Sequence, residues 1–558
     1  MSETHSRWHL MTVSVEDYFQ SHDLEEQVRY KQWDRFESRV ARTIDQTLEF
    51  FALHGVHATY FISGWTAERH PQIVPRIVSA GHEVASAGYS PRRSARATPD
   101  SFRNDLRLAK ALLESQGSNR IHGYRASHWL DPRDLWTLDV LADEGYRYDA
   151  SVNPLLRRFA DRPDLARASE LAIGEKRLWE FPVSTVKLAG LRVPISGGNY
   201  VRQFPHTILK RAVARWNDRE DSPLVFYFMP WELDLQQPRF DSVSRVTALR
   251  HYRGLAKTIW VMEDYFARYR FHSVAEHLGL SLEAQPVRER PAEVRAAAET
   301  SLPRVPSPYE GVTPVTIVVP VFNEEPNIAF LRGTLMRLRA RLADRYRIHI
   351  TVVDDGSSDR TVERVREHFA GVDDFTLLEH GHNRGIAAAI MTGLRAAPSE
   401  LVCSIDCDCS YDPDILEHMI PLCHDADMVT ASPYHPEGRA LNVPSWRLFL
   451  SRTLSMAYRQ LVNAPLHTFT SCCRVHRRSV FAPMQLEHDG FLGVAEMLLR
   501  AGMQGSRIVE YPATLESRLF GQSKMKTVRV IRGHLGLLRD LAKKKYLGAP
   551  AEHPAIAG

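Results

Sequence analysis

The segment LVCSIDCDCSYDPD carries two aspartates, Asp406 and Asp408, two positions apart at the end of an apolar run. Carboxylates at that spacing can share a divalent cation, which in turn can bridge a diphosphate. A lone pair of this kind is also satisfied as a solvated acidic turn. Two further polar clusters favour the binding role. VFNEEPNI follows the apolar run 315–320, and DDGSSDRT follows the apolar run 348–353. In a parallel sheet all three clusters would stand at the carboxyl ends of strands, where open α/β sheets take their ligands. A different question is posed by GHEVASAGYSPRR at 81–93, which has the cadence of a metal-binding turn although its only histidine, His82, is at the wrong end.

These residues need a scaffold, and the chain is long enough for more than one. At 558 residues it exceeds a single ordinary core, and a prior of about 150 residues per domain suggests two to four. With 44% apolar and 25% charged residues the composition is that of a globular protein. A net charge of +4 gives no footprint for nucleic acid. Strand-like runs at 9–15, 57–63, 121–125 and 224–229 alternate with helical spacing at 39–53, 71–80 and 101–115, which predicts parallel α/β architecture. Residues 284–311, rich in Pro, Arg, Glu and Ala, read as a linker. The organisation expected is therefore a first domain over 1–283, a second over 312–548, and a tail over 549–558.

The six cysteines all lie beyond residue 400 and include no CxxC pair, so they read as reduced thiols. The first residues lack a signal-peptide pattern. No run approaches the roughly 18 apolar residues of a membrane span. A cytoplasmic protein is the expectation, peripheral on the membrane at most. From Ser523 to Lys545 many Lys and Arg interleave with Val and Leu, which suits either a bilayer with anionic lipid or a helix packed on the domain with its basic face in water.

VVPVFNEEPNI, VVDDGSSDRT, NRGIAAAIMTGL and DCDCSYDPD together resemble the successive motifs of family-2 glycosyltransferases of the GT-A fold. The resemblance implies a nucleoside-diphosphate sugar as donor. Pro320, Asn323, Glu324 and Glu325 would line the nucleotide pocket, Asp354 or Asp355 would sit by base and ribose, and Asp406 and Asp408 would hold Mg or Mn. Within the family the likeness is greatest to the dolichyl- or polyprenyl-phosphate sugar synthases, through Ser451-Arg452, TSCCR ending in Arg474, and RLFGQSK with Arg518, Ser523 and Lys524. Guanidinium and ammonium groups suit phosphate oxygens, so a polyprenyl phosphate is the implied acceptor. Such an acceptor is already ionised and needs no general base. A hydroxyl acceptor, as in cell-wall or exopolysaccharide assembly, would need one, and Asp489 or Glu496 would be the candidates. The QxxRW signature of processive synthases is absent, and Cys472-Cys473 depart from the family's usual small residue and aromatic.

The first domain resembles polysaccharide deacetylases of the NodB-homology class, which are distorted (β/α) barrels, through SVEDYFQ, GWTAERHPQIVPRIVSAGHEVAS, YDASVNP and MPWELDLQQPR. That class needs a metal held by one Asp and two His, with an Asp base and a His acid. Here the matching positions are Ser14, Ala87, Pro91 and Met229, none of which can replace what it lacks. Glu16, Asp17, Asp149, Arg125 and Trp231 survive, with His128 nearby. An inactive deacetylase-like domain without metal is expected, serving as scaffold or as a glycan-binding cleft lined by Tyr18, Tyr89, Tyr124, Trp129 and Trp231. A bifunctional enzyme that deacetylates through an unusual site is the alternative.

Overall fold

The run HLMTVSV predicts a strand, and in a computed structural model it is one. The structure describes residues 7–90, 98–117, 119–155, 159, 161–188, 191–283, 307–441, 443, 445–462, 466–521 and 533–539. The chain folds as two units. The first comprises Met1–Trp33, Ser38–Pro238 and Val243–Thr300, and the second comprises Asp34–Glu37, Arg239–Ser242 and Ser301–Gly558. Two tetrapeptides from the first half thus belong to the second unit, which the expected boundary at 283 did not anticipate.

In the first unit the strands are β1 (Trp8–Val15), β2 (Thr59–Ile62), β3 (Glu83–Ser86), β4 (Gly123–Tyr124), β5 (Tyr148–Asp149), β6 (Ser169–Ile173), β7 (Lys176–Glu180), β8 (Thr185–Leu188), β9 (Leu191–Pro194), β10 (Val225–Phe228) and β11 (Arg270–His272). One sheet runs β10-β1-β2-β3-β4-β5-β7-β6, with β11 also on β1. It is parallel except for the β6–β7 pair. Strands covered on both faces need unbroken apolar runs, and β2 and β10 are buried at every position. The helix Val40–His54 buries Val40, Ile44, Thr47 and Phe51 on one stripe and ends at Gly55 with φ 61°, the left-handed cap that glycine adopts without Cβ strain.

The second unit holds β12 (Thr313–Val321), β13 (Tyr346–Asp354), β14 (Phe375–Glu379), β15 (Leu401–Ser404), β16 (Met428–Ser432), β17 (Arg439–Leu441), β18 (Arg474–Arg477), β19 (Ile508–Pro512) and β20 (Thr514–Glu516). Its main sheet runs β14-β13-β12-β15-β18-β16-β19, with β18 antiparallel to both neighbours. β12 and β13 pair in register from Thr313↔Tyr346 to Val321↔Asp354. Alternate residues of β12 feed opposite layers. Val315, Ile317, Val319 and Val321 join the core that includes the helix Ile328–Leu342, while Val318 joins that of the helix Ile386–Ala396. That second helix lies so close that a Cβ on Gly393 would fall 2.3 Å from Val318 Cγ1.

This sheet order fixes where a ligand can sit. From β12 the chain fills one side with β13 and β14, then crosses to β15 on the other. The crevice between β12 and β15 is therefore the switch point at the carboxyl ends, flanked by the segments that follow Val321 and Ser404. Among the described residues no helix is long and apolar enough to cross a membrane. Part of the basic tail, 533–539, is a helix. His534 is buried there with Nδ1 2.8 Å from Tyr458 Oη, and Leu537 and Leu538 pack on the core. That portion follows the packed alternative; the rest of the tail, including Ser523 and Lys524, lies outside the described residues.

Candidate functional site

Each strand end is built by a short hydrogen-bonded turn. After β12, Asn323 takes φ 51°, a left-handed conformation that Asn tolerates better than most residues. Its Oδ1 accepts from the N–H groups of Ser358 (2.6 Å) and Asp359 (3.2 Å), so it ties the β12 turn to the β13 turn. Pro320 is buried inside β12, opposite Val353. Glu325 opens a single 3-10 turn, Glu325–Asn327, and lies 3.9 Å from Arg360 Nη1.

The two aspartates after β13 do different work. Asp354 Oδ2 accepts from the N–H groups of Gly356 and Ser357, both at 3.0 Å. Asp355 reaches across to the turn before the helix Ile386–Ala396. Its Oδ1 accepts from Arg384 N (2.9 Å) and its Oδ2 from Gly385 N (2.8 Å), with His380 Nδ1 2.8 Å away. Both carboxylates are buried, so these donors replace water.

The Asp406 and Asp408 pair follows β15. Asp408 is buried and its Oδ1 accepts from Ser410 N (2.9 Å) and Ser410 Oγ (2.6 Å). Its other oxygen, Oδ2, lies 2.8 Å from Arg518 Nη2, and Arg518 Nη1 lies 3.6 Å from Glu324 Oε1. Burial and the neighbouring Asp408 charge push the Asp406 carboxyl up to about 7. Two close carboxylates taken from water and repelling each other form a set that a divalent cation would relieve, so the residues fit the group the motif implies.

The Arg518 loop is itself held from within the same unit. Asn327, buried and not anticipated from sequence, donates from Nδ2 to Glu324 Oε2 (2.6 Å) and to Phe520 O (3.4 Å). Asp241 Oδ2 accepts from Gly521 N at 2.7 Å, and the Phe240 and Phe520 rings stack with centroids 4.9 Å apart. Below the Asp406 turn, the buried Arg35 guanidinium pairs with Asp412 (2.6 Å) and Asp414 (3.1 Å). Nothing in local spacing marks Arg35 or Asp241, because their partners lie hundreds of residues away in sequence.

Two expected residues are placed differently. Arg474 is fully buried on β18 and donates to the carbonyls of Phe469 and Val494, both at 2.9 Å. It braces the interior and does not present a solvent-facing phosphate clamp. Glu496 is buried and saturated. Its Oε1 accepts from Glu487 N (2.8 Å) and Arg500 Nε (2.6 Å), and its Oε2 accepts from His488 N (3.0 Å) and faces His488 Nδ1 (2.9 Å). Burial would raise its pKa, but those partners hold it below the ordinary carboxylate value, which is contrary to the needs of a base. Asp489 has an exposed side chain, while its carbonyl accepts from Ala388 N at 3.0 Å. Ser451 and Arg452 lie on the helix Ser445–Val462, with the Arg452 guanidinium 5.3 Å from the Tyr434 ring centre.

In the first unit the deacetylase-like cleft lacks the class's donors. Ser14 and Ala87 line a cavity of about 320 Å³ with Glu16 and Arg125. Pro91 lies outside the described residues, and Met229 stands just after β10. A serine, an alanine and a methionine at these positions do not fit a one-Asp, two-His metal set, whose ligands must be carboxylate and imidazole. Asp17, one of the surviving motif residues, serves as a cap. Its Oδ2 accepts from Ser38 Oγ (2.6 Å), Arg39 N (2.8 Å) and Val40 N (3.2 Å) at the start of the helix Val40–His54. Arg125 donates from Nε to Ala150 O (3.1 Å) and lies over the Phe61 ring, and burial lowers its pKa to about 10. Glu16 is raised to about 8 by burial and by Glu232, against the pull of Arg125. His82 is buried and receives Ala58 N–H on Nδ1 at 3.2 Å, a packing role. Tyr18, Tyr124 and Trp231 are buried and unavailable for stacking on a sugar; the aromatics that do line the cavity include Phe19, Tyr30 and Trp33.

Comparison with known proteins agrees with this division. Residues 28–148 match the polysaccharide deacetylase family, 150–279 a domain of unknown function, and 316–483 glycosyl transferase family 2. The chain is 31% identical over 218 residues to polyprenol monophosphomannose synthase of Mycolicibacterium smegmatis, covering 38% of this chain and 80% of the relative. It is 29% identical over 217 residues to undecaprenyl-phosphate mannosyltransferase of Micrococcus luteus, covering 38% of this chain and 87% of the relative. Among solved structures, glucosyl-3-phosphoglycerate synthase of Mycobacterium tuberculosis is 16% identical over 44% of this chain and 82% of its own, with a TM-score of 0.32. Through its second unit, the chain belongs to glycosyl transferase family 2 and is a glycosyltransferase.

Proposed function

We propose that the second unit transfers a sugar, with inversion, from a nucleoside-diphosphate sugar to a polyprenyl phosphate at a membrane surface. The observation that carries this reading is the meeting of Arg518, Asp408 and Glu324 at the β12–β15 crevice. They come from three motifs and combine carboxylates for a cation with a guanidinium for phosphate oxygens. Asp406 and Asp408 would hold Mg or Mn, which when bound supplies charge neutralisation for the leaving diphosphate. Asn323 and Asp354 shape the turns beside the nucleotide, and Asp355 fixes the turn at Gly385. Arg518, Arg452, Ser523 and Lys524 are the groups proposed to receive phosphate. The saturation of Glu496 also favours an acceptor that arrives ionised, since it removes one of the two carboxylates that could take a hydroxyl proton. The names of the relatives make mannose the first sugar to test. The first unit, lacking the metal positions of its class, serves in this reading as a scaffold or glycan-binding module.

The test is a donor screen by thermal shift on the full chain, with Mn and a panel of nucleotide sugars. A donor at 100 times its dissociation constant stabilises by about 2.7 kcal/mol. A metal-dependent shift that disappears in Asp406→Ala supports the reading. A folded protein that responds to no donor, with or without metal, counts against it.

A further inference from the structure

The cavity of the first unit has lost its class's ligands, yet three other potential ligands converge on its wall. His22 opens the short turn His22–Leu24 after β1, Glu25 follows it, and His128 comes from the segment beyond β4. All three line the cavity that also contains Ser14, Ala87 and Glu16. His22 Nδ1 lies 3.2 Å and His128 Nε2 3.3 Å from the same atom, Glu25 Oε2. The two rings stand nearly perpendicular, 86° apart, with centroids separated by 5.0 Å. One ligand atom from each residue lies within 4.8 Å of the other two.

These separations have a chemical meaning. Zinc binds imidazole nitrogen and carboxylate oxygen at about 2.0–2.2 Å in a tetrahedron, so neighbouring ligand atoms stand about 3.3–3.5 Å apart. Two of the three edges, 3.2 and 3.3 Å, are close to that length. Two imidazoles and one carboxylate form the donor set of open zinc sites, which leave a fourth position for water. Calcium and magnesium prefer all-oxygen shells, so the nitrogen donors select a transition-type cation. The other comparable group, Glu487, His488 and Glu496, is less suited: both oxygens of Glu496 already accept hydrogen bonds, from Glu487 N, His488 N and Arg500 Nε.

We propose that His22, Glu25 and His128 form a zinc-class cation site in the deacetylase-like cavity, built from positions other than those its class uses. The site is independent of the transferase reading. It gives the cavity that Glu16 also lines a bound cation with an open coordination position.

The experiment uses the full, untagged chain in an Asp406→Asn background, which removes a transferase carboxylate. After chelator treatment, zinc uptake is measured by elemental analysis and cobalt uptake by its visible absorption. The parent is compared with the same chain carrying His22→Gln and His128→Gln. The His22 side chain is 67% exposed and that of His128 16%, so circular dichroism checks the fold of the substituted chain. One equivalent of zinc in the parent, lost in the double substitution together with the cobalt absorption of a four-coordinate site, supports the assignment. Failure of the parent to bind zinc, or equal binding by both chains, overturns it.

Discussion

Arg518 Nη2 stands 2.8 Å from Asp408 Oδ2 and thereby joins the last motif of the second unit to its paired aspartates. A cation would compete with this guanidinium for the Asp408 carboxylate, and a diphosphate would compete with the carboxylate for the guanidinium. Arg518→Ala is therefore expected to lower transferase kcat/KM by roughly 100- to 1000-fold, the range seen when one preorganised charge-stabilising donor is removed. Arg518→Lys should recover part of the loss, because Lys keeps the charge but not the bidentate fork. Steady-state kinetics with the donor identified by the screen decides it; an Arg518→Ala enzyme with unchanged kcat/KM would separate this arginine from the reaction.

Asp355 makes a structural prediction. Its carboxylate accepts from two main-chain N–H groups at the start of the helix Ile386–Ala396 and faces His380. Asp355→Ala strands those donors in a buried place, at a cost of about 3 kcal/mol. Denaturant unfolding of the full chain should show the transition of the second unit move to lower concentration. Asp355→Asn, which still accepts one N–H, should lose less. Equal losses for the two substitutions would contradict this account of the turn.

Glu496 separates two readings of the acceptor. As a general base it would impose an acidic limb on the pH–rate profile, and Glu496→Gln would cost about 100- to 10,000-fold in rate. Its four partners predict otherwise: Glu496→Gln lowers stability, since the ion pair with Arg500 is lost, while kcat in the surviving folded protein changes less than about tenfold and its pH profile keeps its shape. A lost acidic limb would restore the hydroxyl acceptor.

How much of this could be read in the sequence depends on the range of the interaction. β1, β2, β10, β12 and β13 were visible because buried parallel strands demand continuous apolar runs, and the helix Val40–His54 because its stripe repeats locally. The aspartates at 354, 355, 406 and 408 were visible because strand ends are a fixed address for ligands. Arg474 was misplaced because a charge pattern does not report burial; only the fold shows that its donors meet carbonyls. The sequence marks Asp17 only as a surviving motif residue, and its capping of a helix more than twenty residues on is visible only in the fold. His22, Glu25 and His128 were not grouped, because a turn and a loop separated by a hundred residues carry no common spacing. Arg35 and Asp241 were missed for the same reason.

Glu16 carries a prediction about pH. Burial and the facing Glu232 raise its pKa from 4.5 to about 8, while Arg125 pulls the other way. The folded chain therefore keeps a proton that the unfolded chain releases above pH 4.5, and this contribution to stability is complete below 4.5 and lost as pH rises to about 8. The buried histidines His9, His82 and His251, lowered to about 4, 4 and 3 by burial, act in the opposite sense, but only below their ordinary value of 6.5. From pH 6.5 to 8.5 the carboxyl acts without them. In chelator-treated protein, the melting temperature of the first unit should fall across that window, and Glu16→Gln, which stays neutral, should flatten the slope. Parallel slopes for the two proteins would mean that Glu16 titrates in the fold as it does in water.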